Sequence, residues 1–462
     1  MAGLFQGLEL GKRALLTHQL NLQTIGHNIA NVDTPGFRRQ RVSFQSSLPE
    51  QSMKGPVGTG IQAVGVRHIR DVFLTNQYRK DNRELGQWTY KEKTLSQIEA
   101  AFGEPNDTAL SSLITDFFDS WESLARGDQG AQAAIVEQAS LLTNGFHELA
   151  NNLINLQDSI DSDLVMMTSD INSLTAQIAN LNDQIKRSEL DGDSANDLRD
   201  IRDHALDQLS TLIDVNTHES AKGDMIVYIG SMAIVDQNSN HELDTRIINM
   251  DGRVRHELVW KGTEVTIKNL NGQLKGLIES RDETIPQYLG QLDTLASALV
   301  QEINAIHRTG YGADGSTGLN FFDPARLGAV DIRLNTEIVG DSSKIAFSQS
   351  GEEGDTRTAR AMADLRTSEV LNNNTSSLHQ FYSELVGGLG VEVNQAKSFS
   401  ENYSVLVNQI ENEKFAVEGV SLDEEMANMV KFQHAYDAAA RVITTMDQAL
   451  DTVIHGMGVV GR

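Results

Sequence analysis

Apolar side chains recur at alternating steps of four and three residues near the start of the chain, from residue 4 to residue 29. This spacing places them on one stripe of an α-helix and is typical of helices that pack side by side in a coiled coil. Gly11 and His18 are the two weak positions in the stripe. Its strong members are Leu4, Leu8, Leu15, Leu22, Ile25 and Ile29.

A second stripe with steps of three or four residues lies near the other end of the chain, and Gln433 is its polar interruption. Its candidate packing residues are Leu422, Met426, Met429, Tyr436, Ile443, Met446, Leu450 and Val453. The two stripes predict a long helix at each end of the chain, and each helix has a face that requires a partner. We expect these two faces to form the assembly interface of the protein.

The terminal helices are expected to be marginally stable by themselves. Burying a large apolar side chain gains about 1.5–3 kcal/mol, so the first stripe gains roughly 9–18 kcal/mol when fully buried. Ordering the backbone costs about 1–2 kcal/mol per residue, and a helical hydrogen bond returns only about 0.5–1.5 kcal/mol. The sequence therefore predicts terminal segments that are mobile in the monomer and ordered in an assembly.

The middle of the chain carries the longest apolar stripe, over residues 146–185. Proline breaks the interior of a helix, and none occurs between residues 106 and 285. At 1.5 Å per residue this stripe spans roughly 60 Å. Other helical patterns lie at residues 88–140, 191–213 and 273–308, and beyond residue 348 with a loop near 387–390.

Two segments lack helical spacing. Residues 41–70 are rich in Gly, Ser and Pro with short alternating runs, which favours an extended, hairpin-like linker. Residues 215–270 contain β-branched, alternating runs, and the Asp251-Gly252 pair between two of them is a hairpin signal. We therefore predict one small β insertion in a helical protein.

The predicted fold is mainly α, with the terminal helices in a coiled coil, a long helical-bundle rod domain and an outer β domain. The terminal coiled-coil domain would combine residues 1–45 with 405–462. The rod domain would combine residues 60–213 with 273–400. The β insertion domain would be residues 215–270.

The composition excludes several classes of protein. Among 462 residues, 38 are Lys or Arg and 64 are Asp or Glu, a formal net charge of −26. Such a charge repels nucleic acid and anionic lipid, so we expect no partner of either kind. No run approaches the ~20 apolar residues of a membrane span, and the N-terminus lacks the layout of a secretory signal. The absence of Cys excludes disulfides, cysteine nucleophiles and thiolate metal sites.

The two ends of the chain differ in charge. Residues 1–41 have a net charge of +3, whereas residues 411–462 have a net charge of −5. A basic first helix could indicate DNA binding. However, pairing of the two oppositely charged ends, within one copy or between copies, explains the charges without nucleic acid.

No stretch has the pattern of a catalytic or ligand-binding site. The loop that begins at Asp191 resembles a calcium-binding loop, but it has Asn196 in place of the required glycine and Arg202 in place of the glutamate. His434 and Asp437 are spaced as an ordinary helical i, i+3 pair. We therefore predict no catalytic residue, no cofactor and no metal.

The sequence "NIANVDTPGFRRQ", residues 28–40, follows the first helix and contains a candidate turn motif. Proline disfavours helix in the residue before it, and glycine permits the turn. We expect Thr34-Pro35-Gly36 to stop the helix and the arginines to begin a connector to the next layer. A plain helix cap followed by solvated arginines is the alternative. The motif residues are Asn31, Thr34, Pro35, Gly36 and Phe37.

Both ends of the chain resemble known signatures. "LNLQTIGHNIANVDTPGFRRQRVSF" is similar to the N-terminal signature of the axial proteins of the bacterial flagellum, and "GVSLDEEMANMVKFQHAYDAAARVITTMDQALDTVI" to their C-terminal signature. Within that group, "ANDLRDIRDHALDQLSTLIDV" and the segment from "GQLKGLIESRDETIPQYLGQ" to "GLNFFD" resemble the FlgK family of hook-associated proteins. The version "VDTPGF" is more typical of hook and rod proteins.

The resemblance implies a non-enzymatic structural protein at the hook–filament junction of the flagellum. Its terminal helices would form an inner tube, and the β insertion would face outward. Implied partners are further copies of the chain in a ring or helical assembly, the hook protein, a second junction protein and the filament. An export chaperone would cover the C-terminal helix, and the protein would reach the extracellular flagellum by type III export without a cleaved signal peptide.

Two alternatives remain at this point. The first is a flagellar hook or rod protein. The second, of a different class, is a coiled-coil adaptor or enzyme in the cytosol. A protease digest separates the second alternative from an assembly protein, because assembly helices would be trimmed from the monomer.

Overall fold

A computed structural model describes residues 2–52, 55–103, 109–190, 192, 194–220, 223–250, 252–268 and 270–456. The side chains of residues 2–4, 50–52, 56 and 456 lie outside this description. The predicted assembly residue Leu4 is therefore described by its backbone alone. Asp191 and Asp251, which the sequence singled out, also lie outside the described residues.

Helices dominate the described part of the chain. They are α1 (Ala2–Ala30), α2 (Val72–Phe102), α3 (Leu110–Arg126), α4 (Ala131–Ser188), α5 (Asn196–Leu212), α6 (Gln273–Glu279), α7 (Ile285–His307), α8 (Thr336–Gly340), α9 (Arg357–Asp364), α10 (Leu378–Glu418) and α11 (Leu422–Asp451). A π-helical turn, Ser280–Thr284, joins α6 to α7. The prediction of a mainly α fold with a small β insertion is confirmed.

The strands form small antiparallel sheets. They are β1 (Gln40–Ser46), β2 (Glu50–Ser52), β3 (Gly55–Val57), β4 (Ile61–His68), β5 (Asn216–Glu219), β6 (Met225–Ile229), β7 (Met232–Asp236), β8 (Ser239–Asn240), β9 (Leu243–Met250) and β10 (Arg253–Trp260). β1 pairs with β4 and β2 with β3, which is the hairpin-like linker that the sequence predicts. In the insertion, β5 to β8 form one sheet in sequence order and β9 pairs with β10.

The rod is organised around α4, which is 58 residues long. The predicted stripe is confirmed, because Phe146, Leu153, Leu164 and Ile171 on α4 are fully buried. α3 packs against α4 with the buried Trp121. Because the apolar stripe continues over many turns, α3, α5 and α7 can pack successively along one helix and form a single elongated core.

Two asparagines on α4 attach the β insertion to the rod. The side chain of Asn172 donates to Leu243 O and accepts from Leu243 N, both at 2.8 Å. Asn182 donates to the carbonyls of Met225 and Gln237 at 2.8 and 2.6 Å. Amide side chains can pair with backbone in this way because they carry both a donor and an acceptor.

Two predictions about helix limits are wrong. The loop predicted near 387–390 is helical, because α10 continues through its glycines. Leu385, Leu389 and Val393 are buried there, and their burial outweighs the cost of about 1 kcal/mol per glycine. α10 also spans residues 400–405 without a break, and the domain limits at these residues stay a prediction.

The end of α1 also differs from the prediction. The helix ends at Ala30, before Thr34-Pro35-Gly36. The Asn31 side chain donates to His27 O at 3.0 Å and caps one of the last carbonyls. The Thr34 amide then bonds Asn31 O at 3.0 Å and the Phe37 amide bonds Thr34 O at 3.1 Å, which forms two successive turns. The proline and glycine shape these turns after the helix has already stopped.

Candidate functional site

The terminal helices α1 and α11 pack against each other in antiparallel directions. A Cβ added to Gly7 would lie 2.9 Å from Met446 Cε, and one added to Gly11 would lie 2.8 Å from Ile443 Cγ1. The side chains of Met446 and Ile443 therefore pack directly on the α1 backbone at these two glycines, in the space that a Cβ would occupy. Gly11, a weak position in the sequence pattern, is thus a close-contact position.

We call the contact surface between α1 and α11 the seam. Most of the predicted assembly residues lie along it, and Leu4 lies outside the described side chains. On α1, Ile25 is buried and the others are half-buried: Leu8, Leu15, Leu22 and Ile29. On α11, Leu450 is buried and the half-buried residues are Met429, Tyr436, Ile443, Met446 and Val453. Leu422 and Met426 are 45% and 53% exposed and do not belong to the seam.

The seam on α11 begins one residue away from the predicted register. The His18 ring faces Phe432 at 6.0 Å between ring centroids, whereas the predicted Gln433 is exposed. At the base of the helix pair, where α1 ends and α11 begins, Asn28 donates to the buried carboxylate of Glu425 at 3.2 Å. The pattern counts only apolar residues as buried. It therefore passed over the buried Glu425 and selected its exposed neighbour Met426, which shifts the predicted register by one residue.

The helix pair leaves large apolar side chains exposed on its outer faces. Phe5 and Leu16 on α1 are 57% and 54% exposed, and Val430 on α11 is 53% exposed. Two helices can bury only the stripes that face each other, so the remaining apolar surface needs further partners.

The predicted turn motif packs against α5 of the rod. Gly36 has a φ of 77°, and a Cβ added to it would lie 2.8 Å from His204 Cβ on α5. The Phe37 ring stands edge-on to the His27 ring, 5.4 Å between centroids. Thr34 and Pro35 are exposed and Asn31 is half-buried. Glycine is required at residue 36 because a side chain would be excluded by both backbone conformation and space.

Directly after the turn, Arg38 is buried in a cluster of carboxylates. Its Nε donates to Glu418 at 2.8 Å, and its Nη1 pairs with Asp203 and lies 3.6 Å from Asp200. Burial by itself would raise the pKa of Asp203, but the charges of Arg38, Arg79 and Arg70 outweigh it and hold that pKa well below its usual range. The Asp203 carboxylate therefore stays ionised far into the acid range.

Arg39 binds the other terminal helix. Its Nε donates to Glu425 at 2.6 Å and its Nη1 to Glu424 at 2.7 Å. Its amide donates to Glu418 O at 2.7 Å. The sequence-based prediction that the basic first segment pairs with the acidic last segment is confirmed, and the pairing occurs within one copy.

Glu418 connects three parts of the protein at once. Besides Arg38, its carboxylate accepts from the amide of Asp71, the N-cap of α2, at 2.6 Å. The first turn, the start of α2 and the end of α10 therefore meet at one buried side chain. We call the residues Arg38, Arg39, Asp200, Asp203, Glu418 and Glu425 the joint.

The joint was missed by sequence reasoning, which treated the arginines as the start of a connector or as solvated. Arg38 is 5% exposed and Asp203 is 1% exposed. Truncating one partner of such a buried pair is costly, at about 3–5 kcal/mol. The available signal was the opposite charge of the two ends, which indicates that they pair but does not name the carboxylates.

The described residues contain no group of three or more His, Asp or Glu side chains arranged to hold a metal ion. His434 and Asp437 are both exposed on α11.

Across its described residues, the chain has no helix that combines the length and the apolar character needed to span a membrane.

Three family models match separate parts of the chain. Residues 95–322 match the flagellar hook-associated protein FlgK helical domain. Residues 8–38 match the flagella basal body rod protein family, and residues 416–455 match the flagellar basal body rod FlgEFG protein C-terminal family. The two rod-protein matches cover most of the helix pair and include Arg38, Glu418 and Glu425 of the joint.

Full-length relatives give a consistent result. The chain is 32% identical to flagellar hook-associated protein 1 of Bacillus subtilis over 100% of both chains. It is 24% identical to flagellar hook-associated protein 1 of Salmonella typhimurium over 95% of this chain and 97% of the relative. A flagellar hook protein FlgE from Treponema pallidum is 41% identical, but over only 11% of this chain.

A solved structure supports the fold. The flagellar hook junction protein FlgK from Burkholderia pseudomallei superimposes with a TM-score of 0.64 at 16% identity. The match covers 74% of this chain and 100% of the solved chain.

Proposed function

The chain belongs to the family of flagellar hook-associated protein 1, FlgK, and from that premise we propose that it forms the structural junction between the flagellar hook and filament. Its role is mechanical and not enzymatic. Copies of the chain would polymerise through the helix pair α1–α11, while the rod and the β insertion form the outer layers.

One observation carries the polymerisation proposal. The helix pair is joined to the rod by a buried ionic cluster, yet its outer faces keep large apolar side chains such as Phe5 and Met426 exposed. A surface of this kind is costly in water and marks an interaction site. Neighbouring copies that carry the same surface would cover it.

The hook or rod protein alternative is the less favoured one. The similarity to a hook protein covers a short segment, whereas the similarity to hook-associated protein 1 extends over the whole chain. Short rod-protein matches at both ends fit a component that must join other axial proteins.

Partners and route are also part of the proposal. The protein would contact the hook protein on one side and a second junction protein and the filament on the other. It would leave the cell through the flagellar export apparatus without a cleaved signal peptide. An export chaperone would cover the exposed apolar residues of α11, because an uncovered helix of this kind invites aggregation.

Decoration of isolated hooks tests the function. Purified protein is added to hooks from a strain that lacks it, and the hook ends are imaged. We expect an added layer at the hook tip that then accepts the next junction component. Hooks that stay bare at saturating protein concentration contradict the proposal.

Limited trypsin digestion of the monomer tests the alternative of a cytosolic adaptor or enzyme. We expect trypsin to cut at exposed sites such as Lys12 and Lys431 and to remove the parts of α1 and α11 beyond the joint, while a core that contains the joint and α4 survives. The helix pair beyond the joint is marginal because its outer faces are uncovered. Ends that resist digestion in a dilute monomer favour the adaptor.

A further inference from the structure

The base of the helix pair has a groove on one flank. It opens between α1, β1 and α11, with a volume of about 310 Å³. Ile25 and Val42 in its wall are buried, and Phe44 at its edge is 45% exposed. The rest of the lining is mostly polar, and Phe44 with Phe432 supplies the accessible apolar part. An exposed aromatic edge of this kind can receive apolar side chains from another molecule.

The rim of this groove is positively charged. Arg41 and Lys431 line it and are exposed. Over the part of the chain that the structure describes, neither side chain forms an ion pair, whereas Arg39 and Glu425 in the groove neutralise each other at 2.6 Å. The rim therefore offers two unpaired cations in a chain whose net charge is −26.

The opposite flank of α11 carries a ridge. Leu422, Met426 and Val430 follow one another at steps of four residues and are 45%, 53% and 53% exposed. Asp423 beside them is exposed and, among the described residues, has no ion-pair partner. The ridge is thus apolar and acidic, while the groove has a basic rim and an aromatic edge.

Helical geometry places the ridge and the groove on different sides of α11. Each residue turns the helix by about 100°, so Met426 on the ridge and Asn428 in the groove point about 160° apart. A molecule with two complementary faces on different sides forms a heterologous contact, which repeats from copy to copy and closes into a ring or continues as a helix.

We propose that the ridge of one copy docks into the groove of the next copy, with Asp423 facing Arg41 and Lys431. This inference rests on the proposed polymerisation and identifies the surfaces that would carry it. The occupant is a second copy because this chain itself presents an acidic, apolar segment that complements the basic rim and the aromatic edge of the groove.

Charge reversal tests the docking. Wild-type protein, Lys431→Glu, Asp423→Lys and the double variant are added to hooks, and the concentration that decorates half of the hook ends is measured. We expect each single variant to need at least tenfold more protein. The double variant again places opposite charges at positions 423 and 431 while Arg41 is unchanged, so it should need clearly less protein than either single variant.

Matched controls use the same charge changes on the rod. Lys397→Glu on α10 and Asp170→Lys on α4 alter exposed residues, and both should decorate hooks as the wild type does. Circular dichroism of all variants should be unchanged, because every altered side chain is exposed. Single variants that decorate like the wild type, or a double variant no better than the single ones, would overturn the docking. Wild-type protein that fails to decorate hooks would instead refute the proposed function.

A disulfide experiment reads the geometry directly. The chain has no Cys, so Asp423→Cys with Lys431→Cys introduces a single reactive pair. The two positions lie roughly 12 Å apart along one helix, beyond disulfide reach within a copy. Oxidation of assembled protein should give a ladder of trimers and larger species. A ladder that stops at dimers, or no ladder, would contradict a head-to-tail contact.

Discussion

Truncation of Arg38 tests whether the joint holds the terminal helices on the rod. Its side chain is 6% exposed and contacts Glu418 at 2.8 Å, Asp200 at 3.6 Å and also Asp203. Removing one partner of a buried ion pair costs about 3–5 kcal/mol. Arg79 still lies 3.4 Å from Asp203, so we expect Arg38→Ala to cost about 3 kcal/mol, the lower end of that range.

The pH dependence of this loss follows from Asp203. Its pKa in the folded protein is depressed, so its stabilising contribution is complete above the ordinary carboxyl pKa of about 3.9. The contribution is lost only as the pH falls through the depressed pKa. In Arg38→Ala that pKa moves back toward its ordinary value. The stability difference between wild type and variant should therefore be largest near neutral pH and narrow below about pH 4.

Amide hydrogen exchange at the joint measures the effect locally. The Arg39 amide donates to Glu418 O at 2.7 Å and the Gln40 amide to Asn28 Oδ1 at 3.0 Å. A loss of about 3 kcal/mol corresponds to exchange roughly a hundredfold faster at these amides, while amides in the core of α4 should keep their protection. Unchanged protection of both joint amides at neutral pH would refute the role assigned to Arg38.

A surface arginine provides the control for this experiment. Arg187 is 75% exposed in an i, i+4 pair with Asp183 on α4. Exposed pairs contribute little, so Arg187→Ala should change stability by about 0.5 kcal/mol or less. A loss as large as that of Arg38→Ala would mean that burial does not distinguish the two arginines.

Three further predictions concern the seam and the rod. Gly11→Val should open the seam at a cost of about 1–3 kcal/mol, because its Cβ would lie 2.8 Å from Ile443 Cγ1. Gly26→Ala is the control, since nothing lies within 4 Å of the new Cβ. Equal amide-exchange protection of α11 in both variants would contradict the close contact. Leu450→Asp places a charge at a buried seam position and should give a folded rod that cannot decorate hooks, so normal decoration would count against the seam. Burial raises the pKa of Tyr78 to about 12. The phenolate absorbance of Tyr78, taken as the difference between the wild type and Tyr78→Phe, should therefore appear near that pH. A titration midpoint near 10 would contradict the burial of its hydroxyl.

The sequence pattern located most of the elements. The stripe over residues 146–185 predicted the buried face of α4, and the two terminal stripes predicted α1 and α11. It failed at the glycines of α10, where the packing of Leu385 and Leu389 overrides weak local helix propensity. Propensity alone cannot indicate this, because the gain from burial depends on a neighbouring helix.

The candidate site was predicted only in part. Residues from Tyr436 to Val453 lie along the seam as the pattern indicates, but Glu425 and Phe432 replace Met426 and Gln433 nearer the base. A buried carboxylate looks like a solvent-facing residue in the sequence, since its partner Arg39 lies 386 positions away. Its burial is possible because Arg39 and Asn28 both pair with it.

Most helical segments, the stripes that need partners and the family that the two ends resemble could be inferred from the order of residues, because periodicity and short signatures are local properties of the chain. The pairing of the two ends within one copy, and the position of Arg38 among Asp200, Asp203 and Glu418, became evident from the three-dimensional fold. An apolar stripe has the same spacing whether it is covered by its own chain or by a neighbour, and the position of a charged residue in the sequence does not indicate its partner. The covering surface and the ionic partner both depend on distances in space, which the order of residues does not specify.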